Sequence, residues 1–269
     1  QTLNEPDSLT LWDVKLIDPS CKGYTDGSIE ITASGGNIRS FSINGGISYT
    51  TSSVFSNLVE DSYIIRVVDN KNCPLLLKAP TSQTMGSPDS LFVDGIVSVD
   101  VSCKDFNDGQ IEILASGGNM PLSYSINSSK GNYVQVSSFN NLFPDQYVIG
   151  VEDANNCPLY SRVPLVIDLY EPDSLTLRSI ILTPVSCSGD QNGVLEINVT
   201  GGNWPLAYEI SGTSNLNGKS PVFINLEGGN YLVNISDSLA CPLKVVDGLS
   251  RYVNLYEPEP LIIREVAAK

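Results

Sequence analysis

Six cysteines, thirty carboxylates and the lack of any histidine bound the chemistry open to this chain. The cysteines stand at 21, 73, 103, 157, 187 and 241, so Cys21 and Cys73, Cys103 and Cys157, and Cys187 and Cys241 lie 52, 54 and 54 residues apart. Paired as Cys21–Cys73, Cys103–Cys157 and Cys187–Cys241, they close loops of nearly equal length, each worth about 4 kcal/mol in chain-entropy terms. Such regular, even usage points to an oxidising, extracytoplasmic setting. A structural zinc site is disfavoured, because the chain has no CxxC pair and no histidine. With every cysteine paired there is no thiol nucleophile, and without histidine there is no standard triad base, so the reading is non-enzymatic, with no catalytic residues.

The carboxylates offer a second chemistry. Asp26, Asp108 and Asn192 sit before a glycine, while Asp69, Asp153 and Asp237 recur shortly before the second cysteine of each set. Hard oxygen ligands of this kind suit calcium, and Asp26, Asp69, Asp108, Asp153 and Asp237 are the metal candidates. The same residues also serve as turn formers and caps, so both readings stand. No other cofactor is expected. Trp204, Tyr49, Tyr133 and Tyr160 are candidates for stacking on surface glycans, although they do not recur at equivalent places. Asn127, Asn198 and Asn234 lie in N-x-[ST] sequons, again at non-equivalent positions.

A formal charge of −15 and a pI near 4.2 argue against nucleic acid or an anionic membrane as partner. No run of about 18 apolar residues is present, so no membrane-inserted helix is expected. The chain lacks an initiator Met and a leader, which suggests a mature or excised part of a longer secreted protein.

The elements that must position these residues are written three times. Cys21-Lys-Gly-Tyr-Thr-Asp-Gly-Ser-Ile-Glu-Ile-Thr-Ala-Ser-Gly-Gly-Asn returns in altered form from Cys103 and again from Cys187. A repeat of this length decides the architecture. It divides the chain into units at 1–86, 87–170 and 171–256, with 257–269 as the start of a further unit or an exchanged strand. Each unit opens with a proline turn, Glu5-Pro6-Asp7-Ser8, Ser87-Pro88-Asp89-Ser90 or Glu171-Pro172-Asp173-Ser174, leading into a first strand. The glycine of Asp26-Gly27, Asp108-Gly109 and Asn192-Gly193 is expected at positive φ in a turn. The strand after it alternates, with Ile29 and Ile31 on one face and Ser28, Glu30 and Thr32 on the other, so one face packs and one is wet.

Gly35-Gly36, Gly117-Gly118 and Gly201-Gly202 mark tight connections to a strand carrying Phe41, Tyr124 or Tyr208. Leu58 with Tyr63, Leu142 with Tyr147 and Leu226 with Tyr231 share one spacing, which is that of a tyrosine corner built on Tyr63, Tyr147 and Tyr231. Cys-Pro-Leu then opens the last strand, whose proline suits a sheet edge. Some seven short strands per unit and no amphipathic helix give an all-β fold: a tandem array of three immunoglobulin-like Greek-key β-sandwiches, one disulfide each.

The ordered set of Cys, Asp-Gly, Gly-Gly, an aromatic strand, Leu-x4-Tyr, Val-x-Asp, a second Cys and Glu-Pro resembles the SprB repeat. That repeat occurs in tandem in very large surface proteins of Bacteroidetes, including gliding-motility adhesins. The resemblance implies type IX secretion, display at the cell surface and an adhesive or filament-forming role. It departs from the family at Pro74, Pro158 and Pro242, where a small polar residue is common, and at Ile38-Arg39-Ser40 in the first unit. A stiff spacer or filament segment of an adhesin is the leading expectation. A glycan- or calcium-binding module is the alternative. The expected partners are neighbouring repeats of the same or another copy, for which Leu261, Ile262 and Ile263 could be exchanged as an edge strand.

Overall fold

The computed structural model describes residues 7–71, 73–128 and 131–263. Among the described residues 24 β-strands are formed. The first repeat contains β1 (Thr10–Ile17), β2 (Gly27–Ser34), β3 (Ile38–Ser42), β4 (Val54–Leu58), β5 (Asp61–Ile64), β6 (Arg66–Asp69), β7 (Leu76–Leu77) and β8 (Ser82–Met85). The second contains β9 (Leu91–Val99), β10 (Gly109–Ser116), β11 (Ser123–Ser125), β12 (Ser138–Leu142), β13 (Gln146–Val148), β14 (Gly150–Glu152), β15 (Leu159–Ser161) and β16 (Val166–Asp168). The third contains β17 (Thr176–Thr183), β18 (Gly193–Thr200), β19 (Ala207–Gly212), β20 (Leu216–Gly218), β21 (Val222–Leu226), β22 (Gly229–Ser236), β23 (Lys244–Val245) and β24 (Tyr252–Leu255).

The third repeat shows the plan most fully. Its sheets run β21-β18-β17-β23 and β20-β19-β22-β24. Leu177, Leu195 and Ile197 from one sheet meet Tyr208, Ile210, Tyr231 and Val233 from the other in a single buried cluster. Two sheets joined by one apolar layer make an immunoglobulin-like sandwich. The first and second repeats keep the sheet orders β4-β2-β1-β7 and β12-β10-β9-β15. Their opposing layers are two-stranded ladders, β3-β6 with β5-β8 and β11-β14 with β13-β16. The late strand is continuous in β22 and divided in the other two, where the amides of Ile65 and Ile149 still donate to the carbonyls of Thr81 and Leu165.

Alternation does its expected work in β2, where Ile29 and Ile31 are buried and Glu30 and Thr32 are exposed. Gly27, Gly109 and Gly193 are needed for a different reason from the positive φ expected of them, since none lies in that region. They begin β2, β10 and β18 in buried positions, and a Cβ there would fall 2.6 Å from Met85 Sδ, 2.9 Å from Leu169 Cδ1 or 2.5 Å from Leu255 Cδ2. Packing, not turn geometry, excludes a side chain at these sites. Positive φ belongs to the Gly-Gly pairs. A Cβ on Gly35, Gly117 or Gly201 would lie 1.9, 2.0 or 2.2 Å from the carbonyl of Ser8, Ser90 or Ser174.

Cys-Pro-Leu leads into a short edge strand and not into the last one. β7, β15 and β23 pair in parallel with β1, β9 and β17, and the repeats close later with β8, β16 and β24. The boundaries at 86, 170 and 256 fall between strands. By contacts the chain gathers into two compact units, one of residues 1–97, 112–138 and 148–167 and the other of 98–111, 139–147 and 168–269. Leu261, Ile262 and Ile263 are exposed and lie in no strand, and the rest of the anticipated further strand, from Arg264, lies outside the described residues. No helix among the described residues is long and apolar enough to cross a membrane.

Candidate functional site

The cysteines do not pair within repeats. Cys21 is bonded to Cys157 and Cys103 to Cys241, each with Cα atoms 5.5 Å apart. The expected Cys21–Cys73, Cys103–Cys157 and Cys187–Cys241 bonds are therefore replaced by links from the first cysteine of one repeat to the second cysteine of the next. Cys73 and Cys187 remain thiols, so the premise that every cysteine is paired also falls. The physical reason is positional. The first cysteine lies in the loop after β1, β9 or β17, and the second lies beside the edge strand of the following repeat, whereas regular spacing fits either pattern equally.

Each linkage is built from a projecting loop and a receiving corner. The loop is a turn closed on itself: Tyr24 N donates to Cys21 O at 3.0 Å and Phe106 N to Cys103 O at 3.1 Å. Asp26 and Asp108 brace it from behind, accepting the amides of Ser20 and Ser102 at 2.9 Å. Hydrogen bonds from the side chain and amide of Ser20 or Ser102 hold both carboxyls below the usual aspartate range. Lys22 pairs with Glu60 at 2.7 Å, and Lys104 pairs with Glu171.

The corner is organised by Asp153 or Asp237, both buried polar residues. Asp153 Oδ1 accepts the amides of Asn155 and Cys157 at 3.0 and 2.9 Å, and Oδ2 accepts the amide of Asn119 at 2.7 Å. Asp237 repeats this with Leu239, Cys241 and Asn203. Burial pushes both carboxyls up, but these amide bonds outweigh it and leave them below the usual range. The asparagines then reach across to the loop. The amide of Asn119 donates to Ser20 O at 2.9 Å and that of Asn203 to Ser102 O at 2.8 Å. The same carbonyls lie 3.4 Å from Cys157 Sγ and 3.3 Å from Cys241 Sγ. Asn155 adds a bond to Ser20 O at 3.1 Å in one linkage, and Lys244 reaches Asp105 at 3.2 Å in the other.

The calcium candidates thus appear as structural acceptors. Asp69 follows the same pattern, binding the amides of Lys71 and Cys73 at 2.9 Å. Among the described residues no group of three or more Cys, Asp or Glu side chains is gathered as a metal would require. The phenols of Tyr63, Tyr147 and Tyr231 each donate to the carbonyl four residues upstream, of Val59, Phe143 and Glu227, at 2.9 Å. Trp204 and Tyr160 are exposed; the Tyr160 ring centroid lies 5.5 Å from that of Phe92 with the planes tilted by 37°, and Arg162 lies over the Phe92 ring at 4.4 Å. Asn119 and Asn203 are the residues to which sequence assigned no role. Their signal was the Asn that follows Gly-Gly in every copy.

A chain of tandem all-β sandwiches linked by disulfides from repeat to repeat is the class these features define. Three stretches of the chain, residues 17–52, 95–131 and 179–215, match the family model described as SprB repeat. No curated protein sequence matches the chain. Among solved structures, the chicken CNTN1 FN1-FN3 domains align at 9% identity, covering 93% of this chain and 100% of that one, with a TM-score of 0.29. The three N-terminal domains of the bacteriophage RB49 highly immunogenic outer capsid protein align at 8% identity over 92% and 95%, with a TM-score of 0.47. A tetra-tandem repeat in the extending region of a large adhesion protein aligns at 10% identity over 86% and 70%, with a TM-score of 0.24.

Proposed function

We propose that this chain is a non-enzymatic, extracellular segment of a large cell-surface adhesin, in which consecutive SprB repeats are locked together as a stiff spacer or filament section. The observation that carries the reading is the linkage of Cys21 to Cys157 and of Cys103 to Cys241. A bond inside a sandwich stabilises that sandwich alone, whereas a bond between successive repeats removes the hinge between them. The linkers are short, with residues 86–90 between β8 and β9 and 169–175 between β16 and β17, too few to behave as free coils. The disulfides support an oxidising compartment. The match to the SprB repeat model supports delivery by type IX secretion and a place in gliding or adhesion.

Small-angle scattering with and without reductant tests the reading. An extended particle of fixed length when oxidised, which gains inter-repeat flexibility when reduced, agrees with it. A compact globule, or freely hinged beads in the oxidised protein, would overturn it.

A further inference from the structure

The two remaining thiols sit on complementary halves of the same linkage. Cys187 lies in a loop that keeps the turn bond and the serine-amide brace of the two engaged loops, with Ser188 where they have Lys22 and Lys104. Asp190 N donates to Cys187 O at 3.1 Å, Asn192 accepts the amide of Ser186 at 3.0 Å, and Glu257 holds Ser188 and Gly189 at 3.1 and 2.7 Å. Cys187 is exposed.

Cys73 lies in a corner with the bonds of the two receiving corners. Gly36 N donates to Asp7 O at 2.7 Å, as Gly118 and Gly202 do to Asp89 and Asp173 at 2.9 Å. Asp69 cradles the Cys73 amide as Asp153 and Asp237 cradle those of Cys157 and Cys241. Asp7, Ser8, Leu9, Cys73, Pro74 and Leu76 line an open cleft of about 250 Å³. In the third repeat the corresponding residues, with Cys103 and Lys104 of the engaged loop among them, enclose about 50 Å³. The counterpart of Asn119 and Asn203 is Asn37, whose side-chain amide has no partner among the described residues.

We infer that the corner around Cys73 is a docking site for the Cys187 loop of a second copy of this chain, sealed by a Cys187–Cys73 disulfide and by Asn37 donating to the Ser186 carbonyl. The occupant is identified by what fills the same corner twice within the molecule. The contact is heterologous, so repetition gives a head-to-tail series rather than an isologous dimer. The inference rests on reading the chain as part of an array, but not on what the array adheres to.

The step needs an oxidant, and a small-molecule disulfide such as oxidised glutathione supplies it. One protein thiol takes up a glutathione and releases glutathione thiol; the other protein thiolate then displaces the second glutathione. Two protein thiols lose two protons and two electrons, and one glutathione disulfide becomes two glutathione thiols. The hydrogen bond from Cys73 to Asp69, with burial and the aspartate charge, pushes the Cys73 thiol up, so the exposed Cys187 is the attacking thiol.

Complementary variants test this directly. Cys73→Ser and Cys187→Ser chains, each retaining its two internal disulfides, are mixed in oxidised glutathione and followed on non-reducing gels, with the linking peptide identified by mass spectrometry. The expected product is the mixed dimer joined through Cys187 of one chain and Cys73 of the other, formed about tenfold faster than either homodimer. Adding Asn37→Ala to the Cys187→Ser chain should slow it about fivefold, the equivalent of one hydrogen bond. Homodimers forming as fast as the mixed dimer, or no cross-link, would overturn the inference. Either result leaves the internal disulfides in place, so failure here is distinct from failure of the locked-array reading.

Discussion

Asn119 of the second repeat donates its side-chain amide to the Ser20 carbonyl of the first at 2.9 Å, across 99 residues of sequence. The same amide lies 3.4 Å from Cys157 Sγ, so one side chain both joins the repeats and covers the disulfide between them. Replacing it should loosen the corner without unfolding either sandwich. Asn119→Ala is expected to speed reduction of Cys21–Cys157 by dithiothreitol about fivefold, corresponding to the loss of one hydrogen bond of about 1 kcal/mol. Quantifying the freed thiols over time, with Cys103–Cys241 as internal reference, checks this.

Acid should weaken the corners. Asp153 has a folded pKa below its unfolded value, so its contribution is complete above the unfolded aspartate range near 4 and is lost as the pH falls through the lower folded value. Asp153→Asn keeps one of the two buried acceptor oxygens but sets an NH2 donor against the backbone N–H groups at the other, and should cost about 2 kcal/mol at pH 7. The variant should also lose less stability between pH 5 and pH 3 (about the aspartate range) than the parent. Denaturant melts at both pH values provide the comparison.

Glycine is demanded by space at one site and by conformation alone at another. Gly201 has φ +71° and a Cβ there would lie 2.2 Å from the Ser174 carbonyl, whereas Gly248, at φ +80°, has nothing within 4 Å of the added carbon. Gly248→Ala should therefore cost only about 1 kcal/mol, the left-handed penalty. Gly201→Ala adds a clash with fixed backbone and should cost about 3 kcal/mol or more. Thermal unfolding of the two variants measures the difference.

The three tyrosine corners should differ in worth. Tyr231 is fully buried, while Tyr63 and Tyr147 are half-buried. Tyr231→Phe leaves the Glu227 carbonyl without the bond it accepts at 2.9 Å, and is expected to cost about 1.5 kcal/mol. Tyr63→Phe should cost about 0.5 kcal/mol, because water can reach the Val59 carbonyl. Chemical denaturation resolves the pair.

The strands were legible wherever residues alternate, as at Ile29 and Ile31, and the tandem units were legible because the Cys-to-Gly-Gly stretch is written three times. The tyrosine spacing was equally open to reading, since a phenol and a carbonyl four residues away form a local contact. The linkages were not. A period of about 84 residues (the repeat spacing of cysteines 103 and 187) places Cys157 one period after Cys73, so pairing within repeats and pairing to the next repeat have the same regularity. Only the position of β7, β15 and β23 beside the first strands decides between them. The role of Gly27, Gly109 and Gly193 was hidden for a similar reason, because their constraint comes from Met85, Leu169 and Leu255, far along the chain.

Disulfide mapping of the oxidised, non-reduced protein tests the locked array most directly. Proteolysis followed by mass spectrometry should yield peptides joining Cys21 to Cys157 and Cys103 to Cys241, and none joining Cys73 or Cys187 to a cysteine of its own repeat. Peptides joining Cys21 to Cys73, Cys103 to Cys157 and Cys187 to Cys241 would contradict it.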